Sequence, residues 1–157
     1  MITRTARTLA AAALAAASVG LGAVGTAQAA TASCGYINIG SPGNVTAHGM
    51  YAGQVEQMYN TCNGYTWAHF QWATPYQQGP YRSDTVFVSI KSWSNGGQVT
   101  GPVSTAVKDV DSPGMYIHDA DPDTFIAYAQ VSCAFAWGTW HAYADGANWG
   151  GPAPSPC

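Results

Sequence analysis

Positive charge is the scarcest chemistry in this chain. Five Lys and Arg occur in 157 residues, and two of them, Arg4 and Arg7, sit in the first ten positions. From Ala30 onward, Arg82, Lys91 and Lys108 stand against eight acids, a balance of −5 with His neutral. Such a chain repels phosphate backbones and has no cluster of Lys and Arg with which to release counterions, which excludes nucleic acid as a partner. A polybasic patch for a membrane surface is missing as well. Glutamate occurs once, at Glu56. Glycoside hydrolysis needs two placed carboxylates, so an Asp would have to supply the second. There is no G-x-S-x-G nucleophile word, no C-x-x-C, and no Cys and His at zinc-ligand spacing. Beyond the N-terminal segment no apolar run approaches the ~20 residues of a membrane span. The expectation is a protein without a cofactor and without membrane insertion.

What is present begins with a leader. Arg4 and Arg7 precede an Ala-rich apolar run that ends in the small-x-small triplet Ala27-Gln28-Ala29, the layout of a secretory signal peptide. The reading is a cleaved signal over 1–29 and one exported, extracellular domain over 30–157. Four cysteines, Cys34, Cys62, Cys133 and Cys157, fall in that domain. An even count at wide spacing in an oxidising compartment reads as two disulfides. Three pairings are open. Cys34 with Cys62 and Cys133 with Cys157 is favoured, because each then ties a chain end to a strand close by in sequence, at roughly 3 kcal/mol per loop.

Helical periodicity is hard to find in the domain, whereas alternation and turn words recur throughout. The pattern predicts an all-β fold, a single disulfide-stapled antiparallel β-sandwich or small β-barrel. Strands are expected over 36–39, 50–60, 65–73, 84–93, 98–109, 114–118 and 124–137, with a further one near 138–144. Turns are expected at SPGN (41–44), NG (63–64), QQGP (77–80), SNGG (94–97), DSPG (111–114) and HDADPD (118–123). The Gly- and Pro-rich end, DGANWGGPAPSPC, should lie over the surface, held by Cys157.

Asn63-Gly64 between two alternating runs predicts a hairpin closed by a two-residue turn. Cys62 would then face Tyr65, Tyr59 Ala68, Met58 His69, Gln57 Phe70, Glu56 Gln71 and Val55 Trp72. Period-2 geometry puts Val55, Gln57, Tyr59, Thr61, Thr66, Ala68, Phe70 and Trp72 on a core face. The other face carries Glu56, Met58, Asn60, Cys62, Tyr65, Trp67, His69 and Gln71, a polar and aromatic mixture open to a ligand. Val86, Val88 and Ile90 alternate with Phe87, Ser89, Lys91 and Trp93. Phe125, Ala127, Ala129, Val131, Cys133, Phe135 and Trp137 share a parity expected to be core, with Ile126, Tyr128 and Gln130 toward solvent.

Several constellations could carry chemistry. Asp119, Asp121 and Asp123 have the alternate spacing of the first calcium ligands of an EF-hand loop, but Thr124 replaces the turn glycine and Gln130 the bidentate glutamate. An acidic turn is the reading, with a calcium site as the alternative. His69 and Glu56, on one face in adjacent rows, are the acid/base pair to test in a small enzyme, since imidazole titrates near neutrality. Of six tryptophans, Trp72 and Trp137 read as core. Trp67, Trp93, Trp140 and Trp149 fall on the wetter parity or in the tail, as candidate platforms for sugar rings.

Cys34-Gly35-Tyr36, Tyr59-Asn60 ahead of Cys62-Asn63-Gly64-Tyr65, Cys133 followed by Ala136-Trp137-Gly138, and the closing Ser155-Pro156-Cys157 form a layout of cysteines and short words. It resembles the small exported actinobacterial proteins of the spore-associated protein A type. That resemblance implies an extracellular, cell-surface or spore-associated protein without an established catalytic site, and no functional residue is carried over from it. Pro80-Tyr81-Arg82 is the nearest word to the Trp-Arg-Tyr turn of secreted amylase-inhibitor β-domains. The expected function is non-catalytic, with a cell-wall or polysaccharide surface as partner. The alternatives are a glycan-binding module, a secreted hydrolase inhibitor, and an enzyme centred on His69 and Glu56.

Overall fold

The computed structural model describes residues 34–157; the leader expected over 1–29 lies outside them. In chain order the described elements are β1 (Tyr36–Ala47), β2 (Met50–Asn60), β3 (Tyr65–Trp72), the helix α1 (Thr74–Gln78), β4 (Thr85–Ser92), β5 (Gly96–Ser104), β6 (Asp109–Asp111), β7 (Met115–Tyr116), a 3₁₀ turn (Ile117–Asp119), β8 (Thr124–Val131), β9 (Ala134–Trp137), β10 (Trp140–Ala142) and β11 (Asn148–Trp149). The first sheet runs β1-β2-β3-β6, with β7 also on β3; the second runs β11-β10-β8-β4-β5, with β9 also on β8. Every pairing is antiparallel. The chain is an all-β protein of two packed sheets, with disulfides joining Cys34 to Cys62 and Cys133 to Cys157.

The core lies between the sheets. Val55, Ala68, Phe70 and Trp72 enter from the first, and Val86, Val88, Ile90, Phe125, Ala127, Ala129 and Val131 from the second. These are the positions that alternation predicts. Transfer of side chains this large from water, at about 1.5–3 kcal/mol each, is the main stabilising term.

Three local expectations are corrected. SPGN does not end a strand: β1 continues to Ala47, and its pairing with β2 slips between Ile39 and Gly43. Gly40 takes φ +68 within that slip. The turn residues therefore make a bulge, which bends β1 toward the second sheet. Ser41 and Thr139 are bonded to each other there, and a Cβ on Gly43 would run into the Trp137 carbonyl.

The run 124–137 is two strands. Ser132, at φ +53, and Cys133 form a two-residue connection, so that Val131 pairs with Ala134. The phase reverses across it. Ala134 and Ala136 are buried, while Phe135 and Trp137 stand on the outer face of the second sheet, where Tyr128 packs 4.3 Å from Trp137. Trp137 is thus not core. Ile126, expected toward solvent, is fully buried on that same outer face because the tail crosses it near Gly151. The tail itself lies as predicted, with Ser155 bridged to Phe135 and the Cys157 N–H donating to the Thr46 carbonyl.

The third correction is the hairpin register. Glu56 faces His69 and Met58 faces Trp67, two residues from expectation. The loop is Thr61 to Gly64, closed by the Gly64 N–H on the Asn60 carbonyl with Gly64 at φ +71. The side chains of Asn60 and Asn63 accept from the N–H groups of Cys62 and Tyr65, a local alternative to a tighter turn. A shift of two keeps every side chain on its predicted face.

Candidate functional site

The face of the hairpin that carries Glu56, Met58, Trp67 and His69 is the outer face of the first sheet. A groove of about 520 Å³ opens on it, lined by Tyr36, Met58, Asn60, Asn63, Tyr65, Trp67, His69 and Asp111. β1 supplies Tyr36, whose exposed ring meets Trp67 edge-on at 5.5 Å between centroids. β3 supplies Tyr65, Trp67 and His69 at alternate positions, so that period-2 geometry alone aims all three outward. The β2–β3 loop adds Asn63, and β6 adds Asp111 directly opposite His69.

Polar bonding fixes these groups. Asp111 Oδ1 accepts from Trp67 Nε1 at 3.2 Å and lies 2.7 Å from His69 Nδ1. A carboxylate is an acceptor, so the proton of the neutral ring sits on Nδ1. His69 Nε2 is 4.0 Å from Asp109, whose carboxylate accepts from Gln71. Glu56 is held separately by Asn38 at 2.9 Å and Gln54 at 2.8 Å. Tyr51 shares the environment of Glu56; partial burial first, and then the Glu56 charge, raise its phenol above the usual value.

Glu56 and His69 are therefore neighbours across β2 and β3 without a hydrogen bond between them, each committed to other partners. The four candidate tryptophans divide. Trp67 is in the groove. Trp93, Trp140 and Trp149 meet on the outer face of the second sheet, with Trp93 to Trp140 at 5.0 Å and Trp93 to Trp149 at 6.4 Å. Their planes cross at 67° and 66°, so they form a cluster of edges rather than one flat shelf.

Asp119, Asp121 and Asp123 do not converge. The Asp119 carbonyl accepts from Asn95, and the Asp123 carboxylate accepts from the Ala144 N–H. Asp121 and Asp123 line a shallow depression beside His118. Among the described residues no three His, Cys, Asp or Glu side chains gather as a metal-ligand set. Pro80-Tyr81-Arg82 lies at the other end of β3, where Tyr81 stacks on His48 at 4.1 Å.

Sequence reasoning omitted Tyr36, Asn63, Asp109 and Asp111 from the site. The single strand expected over 98–109 stops at Ser104 in the second sheet. Asp109–Asp111, the last of these residues expected to open the DSPG turn, is the separate strand β6 of the first sheet, whose partner lies about forty positions earlier. No family model, curated protein or solved structure matches this chain.

Proposed function

We propose that this protein is an exported, non-catalytic binding module that attaches to a cell-wall or other polysaccharide surface by holding a glycan in the groove on the first sheet. The observation that carries the reading is the combination of Tyr36, Tyr65 and Trp67 with Asn60, Asn63, His69 and Asp111 around one opening. A sugar ring presents an apolar face that packs on indole and phenol rings and a rim of hydroxyls that needs donors and acceptors. The groove offers both. Export is supported by the leader and the two disulfides, and no described helix is long and apolar enough to cross a membrane. The surface or spore association implied by the family resemblance is the same proposal at the level of the cell. Hydrolysis has less support, because the one glutamate is tied to two amides and His69 to Asp111.

Titration with soluble cell-wall and plant oligosaccharides, followed by tryptophan fluorescence and calorimetry, tests the reading. Trp67→Ala is expected to weaken binding at least about tenfold, or ~1.4 kcal/mol, while Trp93→Ala leaves it unchanged. A flat response across the panel, or a Trp67→Ala protein that binds like the parent, removes the proposal.

A further inference from the structure

Building on the glycan reading, we infer that the groove selects oligosaccharides whose sugars carry free, protonated amino groups. Three of the eight acids, Glu56, Asp109 and Asp111, stand on this face of the sheet. All three Lys and Arg of the described chain are elsewhere. Lys91 Nζ lies over Tyr128 and Trp137 on the other sheet, at 4.6 and 4.7 Å from the ring centres. Lys108 Nζ donates to the Trp72 carbonyl and to Thr74, and Arg82 sits in the turn before β4. A uronate, sulfated or phosphorylated sugar would meet the Asp111 carboxylate in the groove, with Glu56 and Asp109 on the same face, and no guanidinium or ammonium to receive it.

An ammonium finds the opposite. Asp111 is oriented beside the indole because Trp67 and His69 both bond its Oδ1, and among the described residues its Oδ2 accepts no hydrogen bond. The electron-rich faces of Trp67, Tyr36 and Tyr65 add cation–π attraction at the same place. A neutral sugar gains the stacking alone; a hexosamine with a free amine gains stacking, charge pairing and cation–π attraction together.

The test is calorimetric titration of the full exported chain at low salt with three hexamers: β-linked glucosamine, its fully N-acetylated counterpart, and galacturonate. The glucosamine hexamer should bind at least about tenfold more tightly than the acetylated one, and galacturonate should not bind. Asp111→Asn should narrow that preference. So should Asp109→Asn, which alters the Gln71 bond and the 4.0 Å approach to His69 Nε2 but leaves the Asp111 bonds to Trp67 and His69 in place, and so keeps the test open if the first variant misfolds. Equal or tighter binding of the acetylated hexamer overturns the ammonium selectivity and leaves the glycan reading standing. Silence from all three hexamers overturns the inference, and silence across the wider oligosaccharide panel as well removes the glycan reading with it. Glucosamine binding that survives Trp67→Ala, or a preference unmoved by both Asn variants, marks diffuse attraction to an acidic chain and overturns the inference.

Discussion

The hydroxyl of Tyr143, one residue past β10 of the second sheet, ties that sheet to the first at the margin of the core. It accepts from Gln57 Nε2 at 3.1 Å and donates to Thr66 Oγ1 at 2.9 Å, and Thr66 in turn donates to the Met58 carbonyl. Burial pushes its pKa up to about 12, against the smaller lowering by its bonds to Thr66 and Gln57. The sign of the consequence is fixed: the folded state favours the neutral phenol, so the stabilisation is complete below the unfolded value of about 10. It is lost as pH rises from there through about 12. That rise corresponds to about 3 kcal/mol at most. Tyr76 and Tyr128, raised mainly by burial, act in the same direction. Thermal unfolding followed by circular dichroism should therefore show Tm falling above about pH 10. Tyr143→Phe should cost about 1–2 kcal/mol of stability at neutral pH for the stranded Gln57 and Thr66 groups, read as a lower Tm, and make the alkaline fall shallower. An unchanged alkaline slope in Tyr143→Phe would contradict this account. Alternation alone puts Gln57 and Thr66 on the core face, yet nothing in their own sequence neighbourhood names Tyr143 as their partner.

At the scale of elements, the β2–β3 hairpin separates what short-range chemistry specifies from what it leaves open. Asn63-Gly64 marks the reversal, but the asparagine side chains at 60 and 63 cap N–H groups of a four-residue loop, and that sets the register. The two faces were legible because a slip of two preserves them. The break at Ser132-Cys133 was not, since a serine at positive φ gives no compositional warning and one extra phase change sends Trp137 outward. Glycines at two hairpin tips give a paired prediction. Gly64 has φ +71, and a Cβ there would lie 2.7 Å from the Tyr116 ring, whereas Gly49 has φ +72 with nothing within 4 Å. Gly49→Ala should cost about 1 kcal/mol for the left-handed backbone alone. Gly64→Ala should cost that and the displacement of Tyr116, for a total of about 2 kcal/mol or more. Urea denaturation of both variants measures the difference, and equal midpoints would mean that the Tyr116 contact has no energetic weight.

Over the whole molecule, the two disulfides have similar loop lengths but opposite places. Sandwich class and cysteine pairing were readable because alternation, and the closeness in sequence of each terminal cysteine to a cysteine beside a strand, are local facts. The pairing of β6 with β3, which brings Asp111 to His69 across 42 positions, is not local, and so the one carboxylate in the groove wall stayed hidden. Cys34–Cys62 closes a separation of 28 residues at the groove, because only Gly35 separates Cys34 from Tyr36 and Cys62 lies between Asn60 and Asn63. Cys133–Cys157 closes a separation of 24 residues and pins the tail beside the second sheet. On loop entropy each contributes about 3 kcal/mol, so replacing either pair by serine should lower stability to a similar degree. Binding should separate them. Without Cys34–Cys62 the start of β1 frays, Tyr36 leaves Trp67, and glycan affinity falls along with stability. Without Cys133–Cys157 the groove keeps every lining residue on its own sheet, and affinity measured well below Tm should match the parent. Equal losses of affinity in the two double variants would show that the groove depends on global rigidity, and equal retention that Tyr36 is not part of the binding surface.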